Sequence, residues 1–146
     1  MKPNAQFINM ISVLFQQRQK TITHDDLIKH NSRAVTFYSI SKGKFVNDRL
    51  TDKTQPFSEQ ILIEIERGAN RMIIGTDLST DIYTRISPIE IDQYNGKGYL
   101  FWWATNERNA KYLVAKLLAD DGTLQIKLVT EDNITHVVHN ICELPQ

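Results

Sequence analysis

Residues 89–104 read IEIDQYNGKGYLFWWA and contain the strongest β-hairpin signal in the chain. Asn95-Gly96 is a preferred pair for a two-residue hairpin turn, because both turn positions need a positive φ. A turn at this pair predicts a definite set of opposed residues on the two strands. The expected pairs are Tyr94–Lys97, Asp92–Tyr99, Ile91–Leu100, Glu90–Phe101 and Ile89–Trp102.

This pairing sorts the side chains onto two faces, because directly opposed residues share a face of the sheet. One face is wholly apolar and is predicted to be core; it contains Ile89, Ile91, Leu100, Trp102 and Ala104. The other face combines large aromatic rings with two carboxylates. It supplies the candidate binding residues Tyr99, Phe101, Trp103, Tyr94, Glu90 and Asp92. Such a face lines a ligand pocket, binds a protein partner, or packs beneath a helix as core, and the sequence leaves all three open.

Short apolar and β-branched segments on either side of the hairpin predict further strands. They cover residues 34–40, 61–65, 72–74, 124–129 and 134–142. Gly68-Ala69-Asn70 indicates a turn between the second and third of these. Residues 41–55 are polar and lack periodicity, which is typical of a long loop or a weak strand.

Residues 107–119 fit two patterns. Ala110, Leu113, Val114, Leu117 and Leu118 have helical spacing, and Gly122 follows as a stop. As a strand, the same segment forms a hairpin across Asp121-Gly122. The strand is favoured, with Leu113, Ala115, Leu117 and Ala119 expected to face Leu128, Ile126 and Leu124.

The N-terminal segment is different in character. Apolar side chains at positions 7, 8, 11, 14 and 15 form one stripe of an amphipathic helix over residues 4–19, within a helical segment 1–31. No linker or repeat divides the chain, so residues 1–146 are predicted to be one domain. The expected fold is α+β and mainly β. The helix packs on an antiparallel meander of about six to eight strands, which closes into a small barrel or is covered by the helix.

Composition narrows the choice of partners. Seventeen basic and seventeen acidic residues give a net charge of zero, which disfavours nucleic acid and anionic membrane. Residues 1–73 have a surplus of four basic residues (11 against 7) and the remainder a deficit of four (6 against 10), which leaves open a head-to-tail homo-oligomer. The apolar run at residues 7–15 is too short to span a bilayer and lacks a cleavage site. With Cys142 as the single cysteine, a cytoplasmic protein is expected.

Motifs for catalysis and metal binding are weak. Glu90 and Asp92 are two positions apart on a strand, a spacing of about 6.5 Å that acid and base carboxylates can use beside Tyr99. His136, His139 and Cys142 are metal-capable, but a strand directs His139 to the face opposite the other two. No metal or other cofactor is therefore predicted.

The sequence as a whole favours a non-enzymatic binding protein. We expect it to engage a protein partner, in an inhibitor or immunity-type role, through the aromatic strand face. The alternative is a small apolar or aromatic ligand in a β-barrel pocket. The third hypothesis is an enzyme that uses Glu90 and Asp92.

Overall fold

The computed structural model of the protein describes residues 33–94, 97–118 and 123–144. The strands in these ranges are β1 (Val35–Val46), β2 (Arg49–Lys53), β3 (Leu62–Ile65), β4 (Arg71–Gly75), β5 (Thr80–Arg85), β6 (Glu90–Tyr94), β7 (Lys97–Thr105), β8 (Lys111–Leu118), β9 (Leu124–Thr130) and β10 (Thr135–Glu143). A 3-10 turn at Arg67–Ala69 joins β3 to β4, where the glycine-containing turn was predicted. The predicted helix over residues 4–19 and the helical segment 1–31 lie outside the described residues.

The sheet closes on itself. Neighbouring strands follow the order β1-β3-β4-β5-β7-β8-β9-β10, and β10 pairs back with β1 to complete an antiparallel barrel of eight strands. β2 pairs with the second half of β1, and β6 pairs with the first half of β7, so both lie beside the closed ring. The prediction of a mainly β, antiparallel fold is confirmed, as is its barrel alternative. Across the described ranges, no helix is long and apolar enough to cross a membrane.

Alternate positions along each strand fill the barrel, as the two-residue period of a strand requires. The interior contains Phe37, Ile63, Ile65, Met72, Leu100, Trp102, Ala104, Val114, Ile126, Leu128 and Ile141, all buried. A smaller apolar cluster lies on the other side of β1 and β10, where Tyr38, Ile40 and Cys142 pack with Phe57, Leu62 and Leu144. The main core is therefore inside the ring.

Most of residues 41–55 lie in strands, as the weak-strand alternative predicted, and do not form a long loop. β1 continues to Val46 because β10 pairs with it from Phe37 to Val46, across a register shift between Ser39 and Ser41. β2 then returns antiparallel to the end of β1. The loop alternative was wrong, since hydrogen bonds from a distant strand support this polar segment where its own apolar pattern is weak.

Residues 111–118 form β8, which confirms the strand interpretation over the helix, but the predicted facing was wrong by one residue. Lys116 opposes Ile126 and Val114 opposes Leu128, whereas Leu113, Ala115 and Leu117 were expected there. Because side chains alternate, this shift exchanges the two faces of the strand. Val114 and Lys116 are consequently inside the barrel.

Candidate functional site

The β6–β7 hairpin has the predicted register. Glu90 opposes Phe101, Asp92 opposes Tyr99, and Tyr94 opposes Lys97. The expected pair of Ile89 with Trp102 is absent from the described ladder, because β6 begins at Glu90. Tyr94 is therefore placed by its strand position, whereas its side chain lies outside the described residues.

The inner face of the hairpin agrees with the prediction on β7 and departs from it on β6. Leu100, Trp102 and Ala104 are buried in the barrel core. Ile91 was assigned to the same core face, but its side chain is 49% exposed. The reason is the topology: β5 takes the place beside β7 within the ring, at Ala104 and Thr105, so β6 lies outside it.

The outer face of β7 carries three partly exposed aromatic side chains, Tyr99, Phe101 and Trp103. The rings of Tyr99 and Phe101 lie with their centroids 5.7 Å apart at an interplanar angle of 32°. Lys111 Nζ lies 4.6 Å from the centroid of the Trp103 ring, within the range of a cation–π contact. The three rings thus form a row at alternate positions on one face of the strand.

The neighbouring strand extends this row into a patch. On β8, Leu117 opposes Tyr99, Ala115 opposes Phe101 and Leu113 opposes Trp103, and all three are partly exposed. We call this surface the outer aromatic face; it consists of Tyr99, Phe101, Trp103, Leu113, Ala115 and Leu117. The contribution of β8 was missed from the sequence, because these residues were assigned to the core.

Charged side chains border the outer aromatic face. Glu90 and Asp92 are exposed along β6, and Asp92 Oδ2 accepts a hydrogen bond of 3.1 Å from the Tyr99 hydroxyl. Desolvation and then this carboxylate raise the pKa of Tyr99 above its usual value. At the other end Lys111 pairs with Glu131, Nζ to Oε2, at 3.5 Å. The border is thus acidic along β6 and mixed on the other side, where Lys111 and Glu131 lie near Lys127, which opposes Ala115. The two β6 carboxylates lie on the open surface.

The interior of the barrel holds polar groups whose burial was not predicted from the sequence. Ser39 Oγ lies 2.8 Å from His139 Nδ1, and both residues are buried. Burial and then the charge of Lys42 lower the pKa of His139 to about 4. The Ser39–His139 contact is therefore a neutral pair that satisfies two polar groups of the core.

Lys116 is the most unusual of these groups. Its side chain is fully buried, and burial lowers its pKa to about 7, although the charge of Glu143 opposes that shift. Its Nζ lies 5.3 Å from the centroid of the Phe37 ring. The signal that could have found it is the pairing of β8 with β7, since Lys116 opposes the core residue Leu100.

The three metal-capable residues near the C-terminus lie as the strand alternation predicts. His139 faces the interior beside Ser39, whereas Cys142 lies in the cluster on the opposite side of the sheet. His136 Nε2 is 2.9 Å from Asn133 Oδ1 in the preceding turn. The structure therefore does not bring the three side chains together.

A polar cleft of about 460 Å³ lies at another part of the surface. The rings of Tyr83 and Tyr112 meet edge to face there, with centroids 5.4 Å apart. Burial and then the charge of Asp81 raise the pKa of Tyr83 to about 12. The remaining lining residues are Thr80, Asn106, Glu107 and Arg108. None of the predicted site residues lines this cleft.

Comparison with known proteins gives no relative: no protein-family model, no curated protein and no solved structure matches the chain. The functional argument therefore rests on the site alone.

Proposed function

We propose that this chain is a non-enzymatic binding protein that engages a protein partner, in an inhibitor or immunity-type role, through the outer aromatic face. The observation that carries the proposal is that β7 and β8 present large apolar side chains on both sides of the sheet. Trp102 and Val114 fill the barrel, while Trp103 and Leu113 point away from it. Strands that are apolar on both faces are typical of sheets covered on both sides.

The outer face of the neighbouring strand is more polar. β9 presents Gln125 and Lys127 between its buried positions. The apolar outer surface is consequently concentrated on β7 and β8, where aromatic rings offer large contact area. Tyrosine and tryptophan are the side chains most enriched at the energetic centres of protein interfaces.

The border indicates the chemistry of the partner. Glu90 and Asp92 are exposed on β6, and Glu131 lies beyond Lys111 at the other end. Complementary charge steers association and excludes wrong partners. We therefore expect a protein that presents an apolar patch with basic side chains on the side that meets β6.

The adjacent tryptophans provide a matched test. Trp103→Ala removes a partly exposed ring, so we expect binding to weaken about thirtyfold or more while the free energy of unfolding changes by about 1 kcal/mol or less. Trp102→Ala removes a fully buried ring and should destabilise the fold by about 3–5 kcal/mol. An equal loss of stability in the Trp103 and Trp102 variants would show that Trp103 is a core residue and would refute the proposal.

The partner itself is identified by photo-crosslinking in the source cell. A photoreactive phenylalanine at position 101 should capture a second protein, and Glu90→Lys with Asp92→Lys should abolish the capture, whereas Glu64→Lys on β3 should preserve it. The same photoreactive residue at Leu78, 97% exposed and away from this face, is the control. A cross-link from position 101 to residues 1–32 of the same chain, or none at all, refutes the proposal.

A further inference from the structure

The polar cleft lies at one mouth of the barrel, where the described strands of the ring have their shortest ladder. β5 and β7 pair there at Thr84–Thr105 and Arg85–Ala104. β5 begins four residues earlier, at Thr80, whereas β7 ends at Thr105, so the start of β5 has no partner on this side. The cleft of about 460 Å³ occupies this gap, between β5 and the turn that joins β7 to β8. Ligand sites of this size are common at the mouths of β-barrels.

Three of the lining side chains belong to the inner face of the sheet. Tyr83 opposes Met72, and Tyr112 opposes Ala104; Met72 and Ala104 are both fully buried in the core. Directly opposed residues share a face, so the two tyrosines point inward. Asp81 comes two positions before Tyr83 and therefore lies on the same face, nearer the rim. The tyrosine rings pack against the core, while Asp81 is exposed.

The two rings meet at a right angle. Their interplanar angle is 90° and their centroids are 5.4 Å apart. Two perpendicular rings form adjoining walls of a corner, so a single group can contact the π surfaces of both. A cation within about 6 Å of a ring centroid is attracted by the negative face of the ring. The corner between Tyr83 and Tyr112 therefore suits a positively charged group.

The charges of the lining also favour a cation. Within the described ranges, Asp81 makes no hydrogen bond and no ion pair. After burial, its charge is the next cause of the raised pKa of Tyr83, so this carboxylate lies close to the aromatic corner. Glu107 and Arg108 are neighbours on the exposed turn, and their opposite charges offset each other. The cleft is left with one net negative charge, that of Asp81.

The chemistry of the lining selects an organic cation. In the described part of the chain, no three metal-capable side chains come together. Two aromatic walls and one carboxylate form the combination that recognises quaternary ammonium groups, because the methyl groups pack on the rings while the rings attract the charge. The turn at the rim is already ordered, since Asn106 Oδ1 accepts 2.9 Å hydrogen bonds from the backbone N–H groups of Arg108 and Ala110. A preordered rim lowers the entropic cost of binding.

We propose that this cleft binds a small quaternary ammonium compound, of the class of choline, with its charged head between the rings of Tyr83 and Tyr112 and beside Asp81. The cleft shares no residue with the outer aromatic face, which lies on the opposite side of the sheet. The two proposals can therefore succeed or fail independently.

Choline is the probe, and its neutral isostere, in which a quaternary carbon replaces the nitrogen, is the control of equal shape. NMR titration of the full chain should show one choline site, and the isostere should bind about tenfold more weakly or less. This comparison uses the unmodified protein and so does not depend on the folding of any variant. Ring currents should also shift the methyl proton signal of bound choline upfield.

Substitutions separate the two parts of the site. Tyr112→Leu should weaken choline binding about five- to thirtyfold, whereas Tyr112→Phe, which keeps the ring, should preserve the affinity within about threefold. Asp81→Asn should weaken it about two- to fivefold, the range for an exposed charge pair. Asp52→Asn removes an exposed carboxylate from β2, outside the cleft, and should leave the affinity unchanged.

Three results would each overturn the proposal: no binding of choline, equal affinity for the neutral isostere, or full affinity in both Tyr112→Leu and Asp81→Asn. An effect of Asp52→Asn equal to that of Asp81→Asn would also overturn it, since the attraction would then come from the overall charge of the protein.

Discussion

Replacement of Lys116 by methionine tests whether the buried amine destabilises the fold. The lysine is fully buried, has no hydrogen-bond partner in the described part of the chain, and has its pKa lowered by burial to about 7. Methionine has a similar length and carries no charge. The substitution therefore removes the desolvated amine while it retains most of the packing.

The magnitude follows from the difference in pKa between the two states. An unfolded lysine titrates near pH 10.4. Between pH 7 and 10.4 the unfolded chain binds more protons than the folded chain, so the free energy of unfolding of the natural protein rises with pH. At 1.36 kcal/mol per unit the full span is about 5 kcal/mol. This penalty is complete below pH 7 and disappears as the pH approaches 10.4.

Lys116→Met should therefore be more stable than the natural protein at pH 7. Loss of the attraction to Glu143 offsets part of the gain, so we expect a net stabilisation of about 2–4 kcal/mol. The difference between the two proteins should shrink steadily as the pH rises to 10. No other single substitution at the inner face of β8 is expected to show this pH dependence.

Urea denaturation at one-unit steps from pH 7 to 10 measures this difference. The difference between the unfolding free energies of the two proteins cancels the contribution of the tyrosines, which both proteins contain. Lys127→Met, at a partly exposed position on the outer side of β9, controls for the loss of one positive charge. A difference that is independent of pH, or a variant less stable than the natural protein at pH 7, would refute the reasoning.

Three further predictions concern stability and are checked by urea denaturation. Burial lowers the pKa of His139 to about 4, so the free energy of unfolding should fall by about 3 kcal/mol as the pH decreases from 6.5 towards 4. A His139→Asn variant should not show this pH dependence. Asn106→Ala should lower the free energy of unfolding by about 1–2 kcal/mol, since the Asn106 Oδ1 accepts 2.9 Å hydrogen bonds from two backbone N–H groups of its loop. An unchanged free energy of unfolding would show that these two hydrogen bonds do not stabilise the fold. Gly68→Ala should cost about 1 kcal/mol because Gly68 has a φ of 70°, whereas Gly75→Ala, with open space around the new methyl group, is its control.

The hairpin could be predicted in detail because its turn and its pattern are local. Asn95-Gly96 set the pairing of Asp92 with Tyr99 and of Glu90 with Phe101, which the structure confirms. The strand at Thr80–Arg85 was not predicted, since its sequence alternates poorly and its place in the ring depends on β4 and β7. Features set by neighbouring residues could therefore be predicted, whereas pairings between distant strands could not.

The candidate site was predicted in part for the same reason. The alternation of side chains along β7 placed Tyr99, Phe101 and Trp103 on the face opposite Trp102, and the structure agrees. The half of the outer aromatic face that belongs to β8 was missed. Both faces of β8 are rich in apolar residues, so periodicity alone could not decide which face turns inward.

The amino-acid sequence by itself determined most of the strand-forming segments, the hairpin register and the alternation of side chains along each strand. Only the tertiary structure decided which alternate set lies inside, because closure of the ring pairs β8 with β7 and β9 together. That pairing buries Val114 and Lys116 and turns Leu113 and Leu117 outward. The two faces of a strand follow from its covalent geometry, whereas its pairing with neighbouring strands determines which face is buried.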